Sequence, residues 1–303
     1  MSTSAAPIVC IGGLNIDRKL KLFARSLHGS SNPCESHETP GGVVRNVAEN
    51  LARLGLPVAL VAVVGDDAGG RMLLEQAAQV GIDTHAVLRL RRHASDSYTA
   101  VLAPDGSLEL GLAAMPLVES LNPWALEASK ALRAGAALVV ADGNLPTDAW
   151  PLLLAEARAS GTPLVCVAVS EAKMERLPHD LAGLHLLVMN AGELATVAAD
   201  ADQAFAALHA RGVGCVLVSH GEAGLLLSTP GKPPCHWPAP QVEVVDVTGA
   251  GDALSAGVCA SLLQAPDDFD AAARLGLDLA ALTLQTEDSV HPDLNSEFLA
   301  LNR

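Results

Sequence analysis

Short apolar runs alternate with longer amphipathic stretches along most of this chain. Ile8 to Gly12, Val58 to Val64, Ala137 to Ala141, Pro163 to Val169, Leu186 to Met189 and Cys215 to Ser219 are β-branched or leucine-rich and bounded by Gly, Pro or Asp. They lack the polar alternation of a half-exposed strand, so the pattern predicts strands buried on both faces. Between them, Val43 to Leu54, Ala68 to Val80, Thr147 to Ser160, Ala191 to Ala199 and Asp202 to Arg211 carry apolar positions at helical spacing. Asp252 to Leu263 and Asp267 to Leu284 predict two more helices, strongly apolar and packed on the same sheet. Such alternation predicts an α/β fold with a mainly parallel sheet covered on both faces. Ligands in that architecture sit beyond the carboxyl ends of the strands, where Asn15, Asp142, Asn190 and Ser219 fall.

Two segments break the alternation. Arg18 to Thr39 and Ser95 to Leu112 are more polar, and the second carries the turn signal Pro104-Asp105-Gly106 between the β-type runs Ser97 to Ala103 and Ser107 to Gly111. They predict strands outside the main sheet, either a lid or a plain surface meander. With no repeat and no low-complexity linker, residues 1–303 read as one domain carrying these insertions.

Composition narrows the partners. Half of the 303 residues are apolar, enough for a large core, and the formal charge of −15 argues against nucleic acid or an anionic membrane as partner. Cys10, Cys34, Cys166, Cys215, Cys235 and Cys259 show no C-x-x-C spacing and several lie in apolar runs, which reads as buried free thiols of a reducing compartment. Met1 to Pro7 lacks the basic and apolar regions of a leader, and no apolar run approaches the ~18 residues of a membrane span, so a cytoplasmic protein is expected.

The most informative chemistry lies in Val245-Asp246-Val247-Thr248-Gly249-Ala250-Gly251-Asp252, which leads into an apolar helix. A glycine turn at a helix start is an anion site, because the first N–H groups have no intrahelical partner and the helix dipole favours negative charge. A carboxylate aimed into such a turn would be repelled by a resting phosphate unless it takes a proton from an attacking hydroxyl. On the residues alone, Asp252 as general base and Asp252 as an ordinary N-cap stand equal.

Five motifs in order resemble the ribokinase-like (PfkB) family of ATP-dependent carbohydrate and nucleoside kinases. They are Gly12-Gly13-Leu14-Asn15-Ile16-Asp17, Gly41-Gly42-Val43-Val44-Arg45-Asn46-Val47-Ala48, Asn190-Ala191-Gly192-Glu193, Val218-Ser219-His220-Gly221-Glu222-Ala223-Gly224, and the turn before Asp252. The resemblance spans nearly the whole chain. It implies a three-layer sandwich with a small β lid from about 18–39 and 95–114, which in this family often makes a homodimer contact.

The resemblance also implies roles. Asp252 would be the catalytic base, with Gly249, Ala250 and Gly251 as the anion hole. Asn15, Asp17, Gly41, Gly42, Asn46 and Asn144 would hold the sugar, and Asn190, Ser219, Gly221 and Gly224 would approach ATP. Asn190 and Glu193 would order water around Mg²⁺, while their spacing is equally that of a capping box; both can hold at once. Asp246 and Thr248 match positions where many relatives bind K⁺.

Within the family, the Gly41 to Leu51 segment, Ser31-Asn32-Pro33, Asp142-Gly143-Asn144-Leu145-Pro146 and the run holding Ser170, Lys173, Arg176 and Leu177 are most similar to pseudouridine kinases. Val44 departs from the glycine those kinases carry, beside the sugar turn. The expected reaction is therefore phosphorylation of the 5′-hydroxyl of a nucleoside, pseudouridine first. Adenosine or inosine kinase, ribokinase or fructokinase, and a non-catalytic nucleoside sensor are the alternatives. Lys173 reads as a solvated lysine at a helix end.

Overall fold

A strand without a polar face must be covered on both sides, and the computed structural model, which describes residues 5–302, builds the core on that demand. Met1–Ser4, part of the segment read for a leader, and Arg303 lie outside the described residues. In chain order the first half contains β1 (Ile8–Ile11), β2 (Asn15–Leu22), β3 (Cys34–Gly41), α1 (Val43–Arg53), β4 (Val58–Val61) and β5 (Val63–Gly65). There follow α2 (Ala68–Gln79), β6 (Leu88–Leu90), β7 (Ser97–Leu102), β8 (Leu108–Ala114), and the short helices α3 (Pro123–Glu127) and α4 (Lys130–Ala134). The second half runs through β9 (Leu138–Asp142), α5 (Ala149–Ser160), β10 (Leu164–Val167), β11 (Leu186–Asn190), α6 (Ala191–Ala195) and α7 (Ala201–Ala210). It ends with β12 (Cys215–Ser219), β13 (Leu225–Ser228), β14 (Cys235–Trp237), α8 (Ala250–Leu262), α9 (Phe269–Thr283) and α10 (Glu297–Leu301).

Eight strands form the main sheet in the order β14-β13-β12-β11-β10-β9-β1-β4. Its β4 to β12 portion is parallel, and β13 and β14 close one edge antiparallel. Alternate residues feed two cores. Ile8 and Cys10 pack with α1, α2, α8 and α9 residues such as Val47, Leu73, Leu254 and Leu279, while Val9 and Ile11 pack with Trp150, Leu153, Phe205 and Leu208 of α5 and α7. The three-layer α/β expectation holds.

Boundaries differ where packing, rather than period, decides. The expected strand Val58 to Val64 divides at Ala62: β4 stays in the main sheet and β5 leaves it to pair with β6. All seven residues remain buried, so hydrophobicity cannot mark the break. The expected helix Ala191 to Ala199 stops at Ala195, because the chain must turn to place Asp200 as N-cap of α7, where it accepts the Gln203 N–H at 2.9 Å.

The polar segments form a separate four-stranded sheet, β3-β2-β7-β8. It begins at Asn15, three residues before the expected Arg18, so Asn15 and Asp17 belong to β2 rather than to the end of β1. Its root pairs Asn15 with Gly41 and Asp17 with Thr39, which carries the N-terminal motif directly onto the Gly-Gly turn. Its edge strand β8 exposes Leu108, Leu110 and Leu112.

Cys10, Cys166, Cys215 and Cys259 are buried free thiols as expected, whereas Cys34 is half-buried and Cys235 exposed. Burial pushes the Cys215 and Cys259 thiols up to about 12, which makes them chemically quiet. Among the described residues no helix is long and apolar enough to cross a membrane.

Candidate active site

The motifs expected on the sugar side meet around one buried carboxylate. Asp142 ends β9 fully buried and accepts backbone N–H groups from Gly13 (3.0 Å), Val44 (3.2 Å) and Asn144 (2.9 Å). It thus ties the turn after β1, the first turn of α1 and the Asn144 turn to one point. Burial raises its carboxyl above the ordinary value against the pull of those hydrogen bonds. Gly42 stands at φ 108°, where L side chains are strained, and a Cβ there would strike the Gly13 carbonyl oxygen. Val44, the departure noted beside that turn, is fully buried in the core, and its N–H is one of those bound to Asp142.

Above this hub, Asn15 Nδ2 donates to Asp17 Oδ1 at 2.6 Å, and Gly41 passes so close to the Asp17 carboxyl that a Cβ would overlap it. Burial raises the Asp17 carboxyl, opposed by Asn15 and by the charges of Arg45 and Lys19.

Asp252 arrives from the opposite side. The N-cap of α8 is Gly249, in the left-handed region at φ 81° and so close to the Ser289 carbonyl that a side chain would collide. That corrects the N-cap reading: Asp252 lies within the first turn and its Oδ2 accepts from Asn46 Nδ2 at 2.7 Å instead of capping an N–H. Desolvation by burial pushes Asp252 up to about 7; Asp142 and Asp17 add to the rise, and Asn46 and Arg45 oppose it. A carboxyl poised there can take a proton near neutral pH.

On the far side of Asp252 the first turn of α8 opens into a cavity of about 540 Å³, where a Cβ on Gly251 would meet nothing within 4 Å. The cavity is bordered by Ser219, Gly221, Gly224, Val247, Ala250 and Gly251, so three of the four residues expected at the nucleotide and two of the three expected in the anion hole share one space, which Asn190 and Gly249 do not line. Asn190 pairs in register with Ser219 at the adjoining strand ends. It caps α6: its Oδ1 accepts the Glu193 N–H at 2.9 Å, and Glu193 Oε2 accepts the Asn190 N–H at 2.7 Å. Burial, with Glu171 nearby, raises the Glu193 carboxyl against the hydrogen bond from the Asn190 N–H.

Four contributors escape motif reading. Asp142 was placed at a strand end, but nothing local marks it as the hub. Arg45 is buried and donates to the Pro40 carbonyl (3.0 Å) and to Asn46 Oδ1 (2.7 Å). Lys19 of β2 reaches Asp246 Oδ2 at 2.9 Å across 227 positions of sequence. Burial alone would raise Asp246, but donors from Thr248 and Lys19 hold it below its ordinary value. Lys173 corrects the solvated reading: it is half-buried, its ammonium contacts Asn144 Oδ1, and burial lowers its pKa. Asn144 itself stands beside Gly13, held also by Arg176, which donates to its carbonyl at 2.7 Å.

The sequence profile of the pfkB family of carbohydrate kinases matches residues 5–295. The chain is 32% identical over 298 residues to the uncharacterized sugar kinase YeiI of Escherichia coli K12, covering 95% of this chain and 81% of that one. It is 29% identical over 296 residues to the pseudouridine kinase of the same organism, covering 95% and 93%. Among solved structures, a carbohydrate kinase from Agrobacterium tumefaciens matches with a TM-score of 0.84 at 31% identity, over 97% of this chain and 96% of that one.

Proposed function

The chain belongs to the pfkB family of carbohydrate kinases, and from that premise we propose that it transfers the γ-phosphoryl group of ATP to the 5′-hydroxyl of a nucleoside, pseudouridine first. The observation that carries this reading is Asp252: raised to about 7, it stands between a polar sugar-side cluster and a helix N-terminus that opens into a cavity.

The chemistry follows from that position. Asp17 and Asn46 hydrogen-bond ring hydroxyls, and the close backbone at Gly41 and Gly42 lets the sugar lie flat against the turn. The primary hydroxyl points at Asp252, which accepts its proton as the oxygen attacks the γ-phosphorus; the bond from that phosphorus to the bridging oxygen breaks and ADP departs. N–H groups of Gly249, Ala250 and Gly251 stabilise the charge on the phosphoryl oxygens in transfer. Adenine occupies the apolar cavity near Gly221 and Gly224. The β2-β3-β7-β8 sheet serves as a lid that keeps water from the phosphoryl group.

Magnesium fits the donor set. Asn190 is exposed at the end of β11, and Glu193 commits only Oε2 to the capping box, so an amide and a carboxylate oxygen are at hand for a hydrated ion held chiefly by phosphate and water. Asn190 and Glu193 would orient those waters, and the ion would neutralise charge on the phosphates. Potassium fits less well. At the expected site, Asp246 Oδ1 already accepts the N–H and hydroxyl of Thr248, and Oδ2 accepts the Lys19 ammonium.

Leu108, Leu110 and Leu112, exposed in a row on the lid edge, favour a homodimer through that sheet. Buried free thiols and ATP use suit the cytoplasm. A sugar-kinase reading also has support, because YeiI shares more identity with this chain than the pseudouridine kinase does. An ATP-coupled assay with Mg²⁺ over pseudouridine, uridine, cytidine, adenosine, inosine, ribose and fructose separates the readings. Pseudouridine should exceed the others by at least about tenfold in kcat/KM, roughly 1.4 kcal/mol of discrimination. Preference for a free sugar would discard the substrate and keep the mechanism; no turnover on any would leave a nucleoside sensor.

A further inference from the structure

Helix α1 buries a chain of charges that its packing role does not require. Arg45 and Glu49 are each 6% exposed and form an ion pair one turn apart. Glu49 Oε1 accepts Arg53 Nε at 2.8 Å, and Arg53 Nη1 donates to the Pro292 carbonyl at 2.8 Å. Removing such ions from water is costly, and well-packed apolar residues often serve equally well where only packing matters. The chain of contacts ends at the reaction centre: the Nη1 of Arg45 that binds the Pro40 carbonyl also donates to Asn46 Oδ1.

That contact decides which way the Asn46 amide faces. An asparagine amide has an acceptor end and a donor end of nearly the same shape. With Oδ1 engaged by a guanidinium, Nδ2 is the end presented to Asp252 Oδ2, at 2.7 Å. The reversed amide would set its oxygen against the carboxylate and its NH₂ against the guanidinium, losing both hydrogen bonds. Resting on the kinase reading above, we propose that Arg45 is a positioning residue: it locks the Asn46 amide so that Asp252 is held at the substrate hydroxyl, with Glu49 and Arg53 bracing its guanidinium. The charged groups acting on Asp252 are Asp142 of β9 and Asp17 of β2, which raise its pKa, and Arg45 of α1, which lowers it.

The test is the paired variant Arg45→Met/Glu49→Leu, which leaves neither buried ion without its partner. Three quantities are read: kcat, KM for ATP, and the ¹³C NMR titration of the Asp252 carboxyl in the intact protein. The proposal expects kcat to fall at least about tenfold with KM for ATP changed less than about threefold, since an interaction of the reacting groups and not of the nucleotide is lost. It expects the Asp252 titration to move to higher pH, because the nearby cation is gone. A folded variant with kcat within about twofold of the wild type and an unmoved titration would overturn it. Should the pair fail to fold, Glu49→Gln, which removes the brace alone, is expected to lower kcat about threefold or more, and an unchanged kcat would overturn the proposal. The titration needs no turnover. In Glu49→Gln the Arg45 charge stays, so a rise of the Asp252 titration there reports the Asn46 amide alone; an unmoved titration overturns the lock, and a wild-type protein inactive on every nucleoside and sugar refutes only the proposed function.

Discussion

Replacing Asp252 by asparagine should abolish catalysis and stabilise the fold at the same time. Asparagine keeps the size of the side chain and can present its carbonyl oxygen to Asn46 Nδ2, which now donates to Asp252 at 2.7 Å. Loss of the base costs about 10²- to 10⁴-fold in kcat. The stability effect comes from linkage. A carboxyl at 3.8 in the unfolded chain and about 7 in the folded one binds its proton more tightly when folded. Between those values the folded state carries more protons than the unfolded state, so stability falls as pH rises through the window and is lowest above pH 7. The full penalty is up to about 4 kcal/mol. Asparagine removes it, so the variant should gain several degrees in Tm at pH 8.5, roughly 5 °C or more, and less than half as much at pH 5. The assays are coupled ATP turnover with Mg²⁺ and thermal unfolding at the two pH values. Turnover within about tenfold of the wild type would refute the base assignment, and a Tm gain that is absent or equal at both pH values would refute the burial argument.

Three further outcomes are expected. In the wild type, kcat/KM should rise with pH through an acid limb centred near the Asp252 value of about 7, and a flat profile from pH 5.5 to about 8.5 would remove Asp252 from the proton transfer. Gly42→Ala must accommodate φ 108° and a collision with the Gly13 carbonyl, whereas Gly135→Ala finds its nearest neighbour at 3.7 Å; urea unfolding should show a loss of about 2 kcal/mol or more for the first and little for the second. Lys19→Met breaks a partly exposed ion pair between β2 and Asp246. Its Tm should drop by less than about 2 °C, while KM for the phosphate acceptor rises at low ionic strength and converges on the wild type in high salt; a KM difference that ignores salt would refute an electrostatic latch.

The layered sheet was legible because buried strands and amphipathic helices have different periods, and the glycine turn leading into α8 because Gly249 to Asp252 is local chemistry. What could not be read is equally particular. Asp142 looked like any polar residue at a strand end; its role as acceptor for three N–H groups exists only once β1, α1 and β9 adjoin. Lys173 carried no sign that it would be held, half-buried, on Asn144. The N-cap reading of Asp252 failed for a related reason: helix propensity cannot say that Gly249, pressed against Ser289, takes the left-handed cap position and leaves Asp252 inside the first turn, three positions on.

By itself, then, the sequence determined the α/β class, the order of its elements and the kinds of group at each strand end, since these follow from short-range spacing and from which side chains must leave water. Tertiary structure alone decided which groups touch. Asn46 and Asp252 are 206 positions apart, and Lys19 and Asp246 are 227 apart. No local period encodes such distances. They are set by the stacking of α1 on α8 and by strand β2 reaching the loop that leads into α8, and the same packing desolvates Asp252 beside Asp142 and Asp17, which is what raises its carboxyl to about 7 against the pull of Asn46.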